Sequence, residues 1–355
     1  MPVDRLEVRV SITKLLLALI IVIVPLSIAG LILTERSVKS LDNSTGNDFK
    51  TIATAYSNDV SQFIRERVTD INALAQDPAI VSAVTGNSAA QKTQAADNGI
   101  LNSNASHILR QRKILDPRYL SIMVTDNNGN LMAASQQPPK LSYAQDPLWQ
   151  AAYNNGQPAI KISDILDDEF TKSSYVTISV PVKDPASGNS TGILSAAVSI
   201  SDMLARFRTP TANGARIELV NDDGMIVSAP NADVFSHVKS QQFDTVRDSL
   251  GSPQGSQSGW VTADLSNGSW IVGFANTGLK THFSNLGWIV TVSQEEHQAV
   301  ASIRSLVHFA LIMVILALFM LTLLFVYYYL HRSQRFSHLE EEEVPVEKAR
   351  QATAG

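Results

Sequence analysis

The sequence predicts an α+β protein: one long amphipathic helix, then two antiparallel-sheet modules, with a transmembrane helix flanking this assembly at each end. Three observations predict that fold class. Two uncharged stretches are each long enough to cross a bilayer. Apolar residues recur at helical spacing from Phe49 onward, and one hairpin pattern occurs twice at a fixed offset.

The composition excludes several classes of function. Of the 355 residues, 45% are hydrophobic and 17% are charged, a balance typical of a membrane protein that also has a folded soluble part. The formal net charge of -5 provides no basic surface for a nucleic acid, so no nucleic-acid partner is expected. The chain has no cysteine, which rules out thiol catalysis, disulfides, cysteine-ligated zinc and iron–sulfur clusters.

Two stretches are predicted to be transmembrane helices, residues 15–33 and residues 306–330. Each is uncharged over a length that matches one helical crossing of the hydrocarbon layer. The small residues Ser27 and Ala29 also fit a signal-peptide cleavage site, which is the alternative interpretation of the first stretch. The apolar run continues beyond them without a polar break, and this favours an uncleaved anchor.

The charges beside these stretches predict the orientation of the chain. Lys14 precedes the first stretch and Arg332 follows the second, so the positive-inside rule places both termini in the cytoplasm. Residues 1–14 are then a cytoplasmic N-terminus and residues 331–355 a cytoplasmic acidic tail. Residues 34–305 are expected to lie outside the cytoplasmic (inner) membrane, in the periplasm.

The segment 34–78 is predicted to be a long extracytoplasmic helix. Between Phe49 and Leu74 the apolar residues recur every three or four positions and charged residues fill the gaps, which is the pattern of an amphipathic helix. Asp77-Pro78 is expected to interrupt it, because a proline disfavours helical geometry in the residue before it.

The rest of the outer segment is predicted to hold two copies of one sheet module, residues 79–208 and 209–292. Alternating apolar residues lead into a turn at Gly129 and resume after it, and the same arrangement surrounds Gly224, 95 residues further on. The same offset relates two more pairs of positions, Tyr175 with Trp270 and Gly192 with Gly287. A connecting helix, 293–305, is expected to join the second module to the second transmembrane helix.

Several short segments resemble the double Cache family, the PAS-like extracytoplasmic sensor regions of bacterial chemoreceptors, sensor kinases and diguanylate cyclases. The segments that carry the resemblance are Ala75–Ile80, Asp146–Tyr153, Tyr175–Pro181, Gly192–Leu194, Asp222–Gly224 and Leu286–Gln294. The resemblance implies two PAS-like modules. Residues 79–208 would be the membrane-distal module, which binds a small metabolite, and 209–292 the membrane-proximal module.

The resemblance also implies where a ligand would bind. Trp149 matches the tryptophan of the family's Arg-x-Trp-Tyr segment, which lines the distal pocket. Asp167 or Asp168 matches the family's acidic loop, where a carboxylate could hold a ligand amine. Tyr153 and Tyr175 are further candidates for an aromatic pocket wall, although large aromatic residues equally form a protein core.

Three positions depart from the family's pattern. Pro147 stands in place of an arginine, Gln150 in place of a tyrosine and Ala197 in place of an aspartate. The arginine grips a ligand carboxylate and the aspartate grips a ligand ammonium group, so their replacement argues against an amino acid ligand.

No catalytic, metal or cofactor site is expected. The seven histidines show neither an i, i+4 pairing nor the spacing of zinc ligands, and no nucleophile–base or paired-acid arrangement is found. Gly188–Gly192 matches the G-x-S-x-G pattern of hydrolases, but strands are predicted on both sides of it, so a hairpin turn is expected there.

The sequence therefore predicts a membrane-anchored sensor and not an enzyme. It would bind a small-molecule ligand and relay its occupancy through the transmembrane helices to a signalling partner in the membrane. A homodimer along the Phe49–Leu74 helix is implied by the resemblance alone. Two alternatives stay open: a ligand-binding or structural membrane protein that does not signal, and the truncated input half of a larger receptor.

Overall fold

A computed structural model describes most of the chain between residues 12 and 327. The described ranges are 12–86, 97–168, 173–209, 214–231, 238–251, 257–299 and short pieces of 311–327. Residues 42–296 form one compact unit that holds both sheets, and the two ends of the chain form another.

The first helix, α1 (Ile12–Leu74), is a single element of 63 residues. In its C-terminal half the buried apolar residues follow steps of four and seven, the spacing of one helix face: Phe49, Ala53, Val60, Ile64 and Ile71. A new helix begins at Pro78, where the side chain of Asp77 accepts a hydrogen bond from the backbone N–H of Ala79 at 2.8 Å. The chain therefore turns at Asp77-Pro78.

The two predicted transmembrane segments fall on residues whose side chains are mostly outside the described part of the chain. The first, 15–33, lies within α1, and the second, 306–330, is described only in pieces. Among the described residues, no helix combines the length and the apolar character that a membrane crossing requires. The flanking transmembrane helices thus stay predictions, as do the cytoplasmic tail 331–355, which lies outside the described residues, and the N-terminus 1–14, of which only 12–14 are described.

Seven shorter α-helices lie between residues 78 and 299 of the described chain. They are α2 (Pro78–Thr85), α3 (Asp97–Leu101), α4 (Asn104–Leu115), α5 (Pro147–Tyr153), α6 (Ser201–Arg208), α7 (Phe243–Leu250) and α8 (Glu296–Ala299).

The described strands form two antiparallel sheets with the same strand order. The first sheet contains β1 (Tyr119–Asp126), β2 (Leu131–Ala134), β3 (Lys161–Ile162), β4 (Leu166–Asp168), β5 (Ser173–Lys183) and β6 (Ser190–Ser199). The second sheet contains β7 (Arg216–Val220), β8 (Ile226–Ser228), β9 (Ser258–Leu265), β10 (Gly268–Asn276) and β11 (Ile289–Glu295). The first runs β2-β1-β6-β5-β3, with β4 also paired to β5, and the second runs β8-β7-β11-β10-β9.

This shared order confirms the internal repeat. The strands β1, β2, β5 and β6 correspond to β7, β8, β10 and β11, in the same arrangement. Gly129 and Gly224 occupy the same turn with positive φ angles of 78° and 85°, a conformation that favours glycine. The boundary of the second sheet differs from the expectation, because β11 continues to Glu295 through pairing with β10. Residues 293–295, expected to start the connecting helix, are therefore strand, and α8 begins at Glu296.

The two faces of the first sheet are covered by different helices. Gly192 lies so close to α2 that a Cβ there would be 3.0 Å from a methyl carbon of Val84. The next residue, Ile193, points to the other face, where it belongs to a buried cluster with Trp149 and Ala152 of α5. Alternation along β6 thus separates a face against α2 from a face against α5.

Helix α1 also packs directly on the second sheet. At Gly273 of β10 an added Cβ would lie 2.3 Å from the backbone carbon of Phe49 and 2.4 Å from the backbone nitrogen of Lys50. The side chain of Ser61 donates a hydrogen bond of 2.6 Å to the carbonyl of Thr277. A glycine in β10 therefore allows the helix backbone to approach the strand.

We expect Gly273→Ala to destabilise the protein by about 2–3 kcal/mol, because backbone atoms of α1 have to move to accommodate the methyl group. Urea unfolding of the full chain in detergent micelles, followed by circular dichroism, measures this loss. Gly188→Ala is the control, since a Cβ there meets nothing within 4 Å and costs about 1 kcal/mol of backbone strain. Equal losses for the two variants would contradict this packing.

Candidate functional site

The candidate site is built on α5, which begins with a strong cap. The side chain of Asp146 accepts hydrogen bonds from the backbone N–H groups of Leu148 at 3.1 Å and Trp149 at 3.3 Å, while Pro147 occupies the first turn. The Lys140 ammonium lies 2.9 Å from the same carboxylate. This cap fixes the start of the helix and hence the position of Trp149.

Trp149 is held against the first sheet by its indole nitrogen. That N–H donates a hydrogen bond of 2.8 Å to the hydroxyl of Thr125 on β1. The indole ring stacks on the ring of Tyr153, with centroids 5.0 Å apart and planes 15° apart. Trp149 is 7% exposed and Tyr153 is half-buried, so the pair presents one covered and one accessible aromatic ring.

The stacked pair also contributes to the core. Trp149 belongs to a buried cluster against which Tyr153 packs; its other buried members are Leu131, Ala134, Tyr143, Ala152 and Ile193. Trp149 and Tyr153 therefore pack in a core, and their role in a pocket wall stays a prediction. We call the face of the first sheet beneath α5 the site face.

Strand register identifies the residues of the site face. Met123 of β1 is paired with Ser195 of β6, Ser195 with Ser179 of β5, and Ser179 with Lys161 of β3. Directly paired residues of antiparallel strands point to the same face, and the two serine hydroxyls are 2.8 Å apart. Met123 packs against the Trp149 cluster, so this whole row lies on the site face.

Tyr175 lies on the site face but far from Trp149. It is an even number of residues from Ser179 along β5 and therefore shares its face. Ile193 of the Trp149 cluster pairs with Pro181, and six residues separate Pro181 from Tyr175, which corresponds to about 20 Å along an extended strand. One small ligand cannot contact both ends of this face.

The two candidate aspartates point to opposite faces. Asp168 pairs with Ser173, which lies two residues from Tyr175 along β5 and therefore points to the same face. Asp167 pairs with Ser174, which points to the other face. The Asp167 carboxylate accepts a hydrogen bond of 2.6 Å from the Ser174 hydroxyl, and Ser174 is buried. Only Asp168 therefore faces the same side as Tyr175, and it already takes part in another interaction.

Sequence reasoning did not find the polar row beside Trp149. Lys161, Ser179 and Ser195 are three positions in different strands, and only the pairing of β3, β5 and β6 brings them together. Strand β3 has two residues, too few for an alternating pattern that sequence analysis could detect. The row extends the site beyond the aromatic residues.

Concave surfaces are found away from the site face. A cleft of about 430 Å³ lies between α1 and α6, with Tyr56, Phe63, Arg118 and Phe207 among its lining residues. An open groove lies along α1 itself. We favour the site face over these open grooves, because it combines stacked aromatic rings with a few placed polar groups, as ligand sites typically do. Within the described residues, no group of three or more acidic or histidine side chains could hold a metal ion.

The fold and the site together define a two-module sensory domain. A family model for the Cache domain matches residues 37–303. The chain belongs to this family in its double form, which confirms the resemblance found in the sequence. A comparison with curated proteins finds no match.

Solved structures of similar fold include sensory domains of chemoreceptors. The sensory domain of the Campylobacter jejuni chemoreceptor Tlp3 with isoleucine bound aligns with a TM-score of 0.54 and 16% identity, covering 74% of this chain and 97% of that one. The ligand-binding domain of the Pseudomonas aeruginosa amino acid chemoreceptor PctC in complex with GABA aligns with a TM-score of 0.50 and 16% identity, covering 71% and 100%.

The hydrogen bond between Trp149 and Thr125 can be tested by a double-mutant cycle. We expect Thr125→Val to cost about 1–3 kcal/mol, because the buried indole N–H loses its acceptor. In a Trp149→Phe background the same change should cost less, with a coupling of about 1 kcal/mol. Urea unfolding of the four forms measures it, and strictly additive losses would show that this bond does not hold α5.

The cap of α5 predicts a pH dependence. Burial raises the pKa of Asp146, but the Lys140 ammonium and the two backbone N–H donors outweigh burial and hold that pKa below its usual range. A depressed pKa means that the carboxylate stabilises the fold above the pKa of the unfolded chain, about 3.9, and that this contribution is lost as the pH falls through the folded value.

We therefore expect Asp146→Ala to lower stability by about 1 kcal/mol at pH 7 and to lose its effect relative to the unchanged protein as the pH falls below about 4. Asp146→Asn keeps a capping oxygen and should retain part of the stability. Unfolding midpoints between pH 3 and pH 7 provide the measurement. A difference that grows on acidification would be inconsistent with the depressed pKa.

Proposed function

We propose that the chain is a membrane-anchored extracytoplasmic sensor that binds a small metabolite on the site face of its first module. Occupancy of that face is relayed through the transmembrane helices to a partner protein. The observation that supports this proposal most strongly is that α1 is one continuous helix, which starts at Ile12 and packs on both modules. A change in the first module is thereby linked to the helix that leads to the predicted membrane anchor.

The membrane placement is supported by the sequence. The uncharged stretches 15–33 and 306–330 have the length of membrane crossings, and the basic residues beside them favour two cytoplasmic termini. In this arrangement residues 34–305 are periplasmic, with 79–208 the membrane-distal module and 209–292 the membrane-proximal one. Cache domains are extracytoplasmic sensor domains, which agrees with it.

The ligand-binding role is supported by the site and by the structures of similar fold. Trp149 and Tyr153 cover the site face, and chemoreceptor domains of this fold have been solved with isoleucine or GABA bound. Asp168 and Tyr175 extend the same face toward its other end. Asp167 takes no part in this site, because Ser174 occupies its carboxylate on the opposite face.

The relay is a shift between two arrangements of the module on α1. A ligand moves that equilibrium only by the ratio of its affinities for the two states. The contacts that differ between the states lie along α1, where Arg67 pairs with Asp116 of the first module at 2.8 Å. A second copy of the chain along the Phe49–Leu74 helix and a membrane signalling protein are the partners of this proposal.

A thermal-shift screen of the full chain in detergent micelles, with a library of amino acids, organic acids and amines, tests the binding role. A ligand at about one hundred times its dissociation constant stabilises the folded state by about 2.7 kcal/mol. That gain raises the melting temperature by about 5 °C or more for a domain of this size. Absence of a shift with every compound would contradict ligand binding.

A further inference from the structure

The site face carries a cation that the aromatic candidates did not reveal. Lys161 pairs with Ser179, which pairs with Ser195, and this row ends at Met123 beneath α5. Ser179 is two residues from Pro181, the partner of Ile193 in the Trp149 cluster. The row therefore crosses the end of the face that Trp149 and Tyr153 cover, whereas Asp168 lies at the far end.

Lys161 is half-buried, and its charge has no counterpart in the part of the chain that the structure describes. None of these residues forms a hydrogen bond or an ion pair with its ammonium group. The described acidic residues that follow Lys161 in the chain interact with other groups: Asp164 accepts a hydrogen bond from Asn285, Asp167 accepts one from Ser174, and Asp168 takes part in another interaction. A half-buried ammonium group that lacks a partner favours an anion beside it.

The serine pair next to Lys161 supplies hydrogen bonds to such an anion. Ser179 and Ser195 are both buried, and their hydroxyls are 2.8 Å apart. One hydroxyl donates to the other, so the second keeps a proton that it can donate to a ligand oxygen. The row thus combines one positive charge with a hydroxyl donor, which suits a carboxylate.

In the part of the chain that the structure describes, the paired rows at this end of the face contain no carboxylate that could hold an ammonium group. Ala197 pairs with Thr177 in the row adjacent to the Lys161 row, and an alanine cannot bind a cation. Pro147 occupies the first turn of α5 and has no charge, so the positive charge at this end of the face comes from Lys161. The charges of this end therefore complement a ligand that has a carboxylate and lacks an amine.

We propose that the site face binds a small organic carboxylate without an ammonium group, with its carboxylate on Lys161 and its carbon chain against Trp149 and Tyr153. This inference rests on the proposed function and adds to it the chemical class of the ligand. Lys161 contacts the ligand directly. The serine pair orients the carboxylate, and the stacked rings exclude water from the apolar part.

The experiment measures binding to the full chain in detergent micelles by isothermal titration. Three sets of probes are compared: acetate, propionate, lactate, succinate and malate; isoleucine, valine and GABA; and inorganic phosphate and sulfate. We expect at least one organic carboxylate to bind more tightly than every amino acid in the second set. We also expect its affinity to fall as the salt concentration rises, since the contact is ionic.

Variants of Lys161 test its role. Lys161→Met should weaken binding of that carboxylate by about tenfold to a hundredfold, because a charge-assisted contact is lost, and Lys161→Arg should retain most of it. Lys280→Met is the matched control, since Lys280 is an exposed lysine of the second module that pairs with Asp222, and it should leave the affinity unchanged.

Several outcomes overturn the inference. If an amino acid binds more tightly than all five carboxylates, the proposed ligand class is wrong, but the module still binds a small molecule. Binding by phosphate or sulfate alone replaces the class with an inorganic anion. If none of the probes binds, the inference is wrong. The thermal-shift screen with the broader compound library then tests the proposed function separately. A carboxylate affinity that Lys161→Met leaves unchanged shows that this edge-strand lysine only protects the sheet edge.

Discussion

The packing of α1 on both modules is the constraint on which the rest of the structure depends. Its buried face contacts β10 so closely that a glycine, Gly273, is needed opposite Phe49. Toward the first module, Arg67 is buried and pairs with Asp116 at 2.8 Å, and Arg118 also binds that carboxylate. The hydrogen bond from Arg118 is the main reason why the pKa of Asp116 lies below its usual range. Arg67 also pairs with Asp70 of its own helix at 3.1 Å, so a network of charges joins α1 to the first module.

The two modules share one architecture but differ in what their equivalent faces hold. In the first, α5 places a stacked tryptophan and tyrosine over a row that ends in Lys161. In the second, α7 contributes Phe243 and Val246 to a buried cluster that also includes Phe274 of β10. The buried Glu218 of that module is occupied by Ser240 and Arg216. An apolar face whose acid is already paired is suited to stability, whereas a face with an uncompensated ammonium group is suited to binding.

Much of the fold could be predicted from the sequence, because its signals are periodic. The amphipathic spacing from Phe49 onward predicted the C-terminal half of α1, and the 95-residue offset between Gly129 and Gly224 predicted two sheets of like order. The site was predicted only in part. Register decides which side chains share a face, and a shift of one residue reverses every face, so neighbouring Asp167 and Asp168 could not be assigned. Strands as short as β3 carry no periodic signal, which is why Lys161 was missed.

We propose above all that a small molecule binds beneath α5 in the first module. Hydrogen–deuterium exchange of the full chain tests this binding most directly, with and without a saturating amount of the compound that gives the largest thermal shift. We expect slower exchange in Pro147–Tyr153 and in the strands beneath it, and no change in Phe243–Leu250. Slower exchange confined to the second module, with Pro147–Tyr153 unchanged, would contradict it.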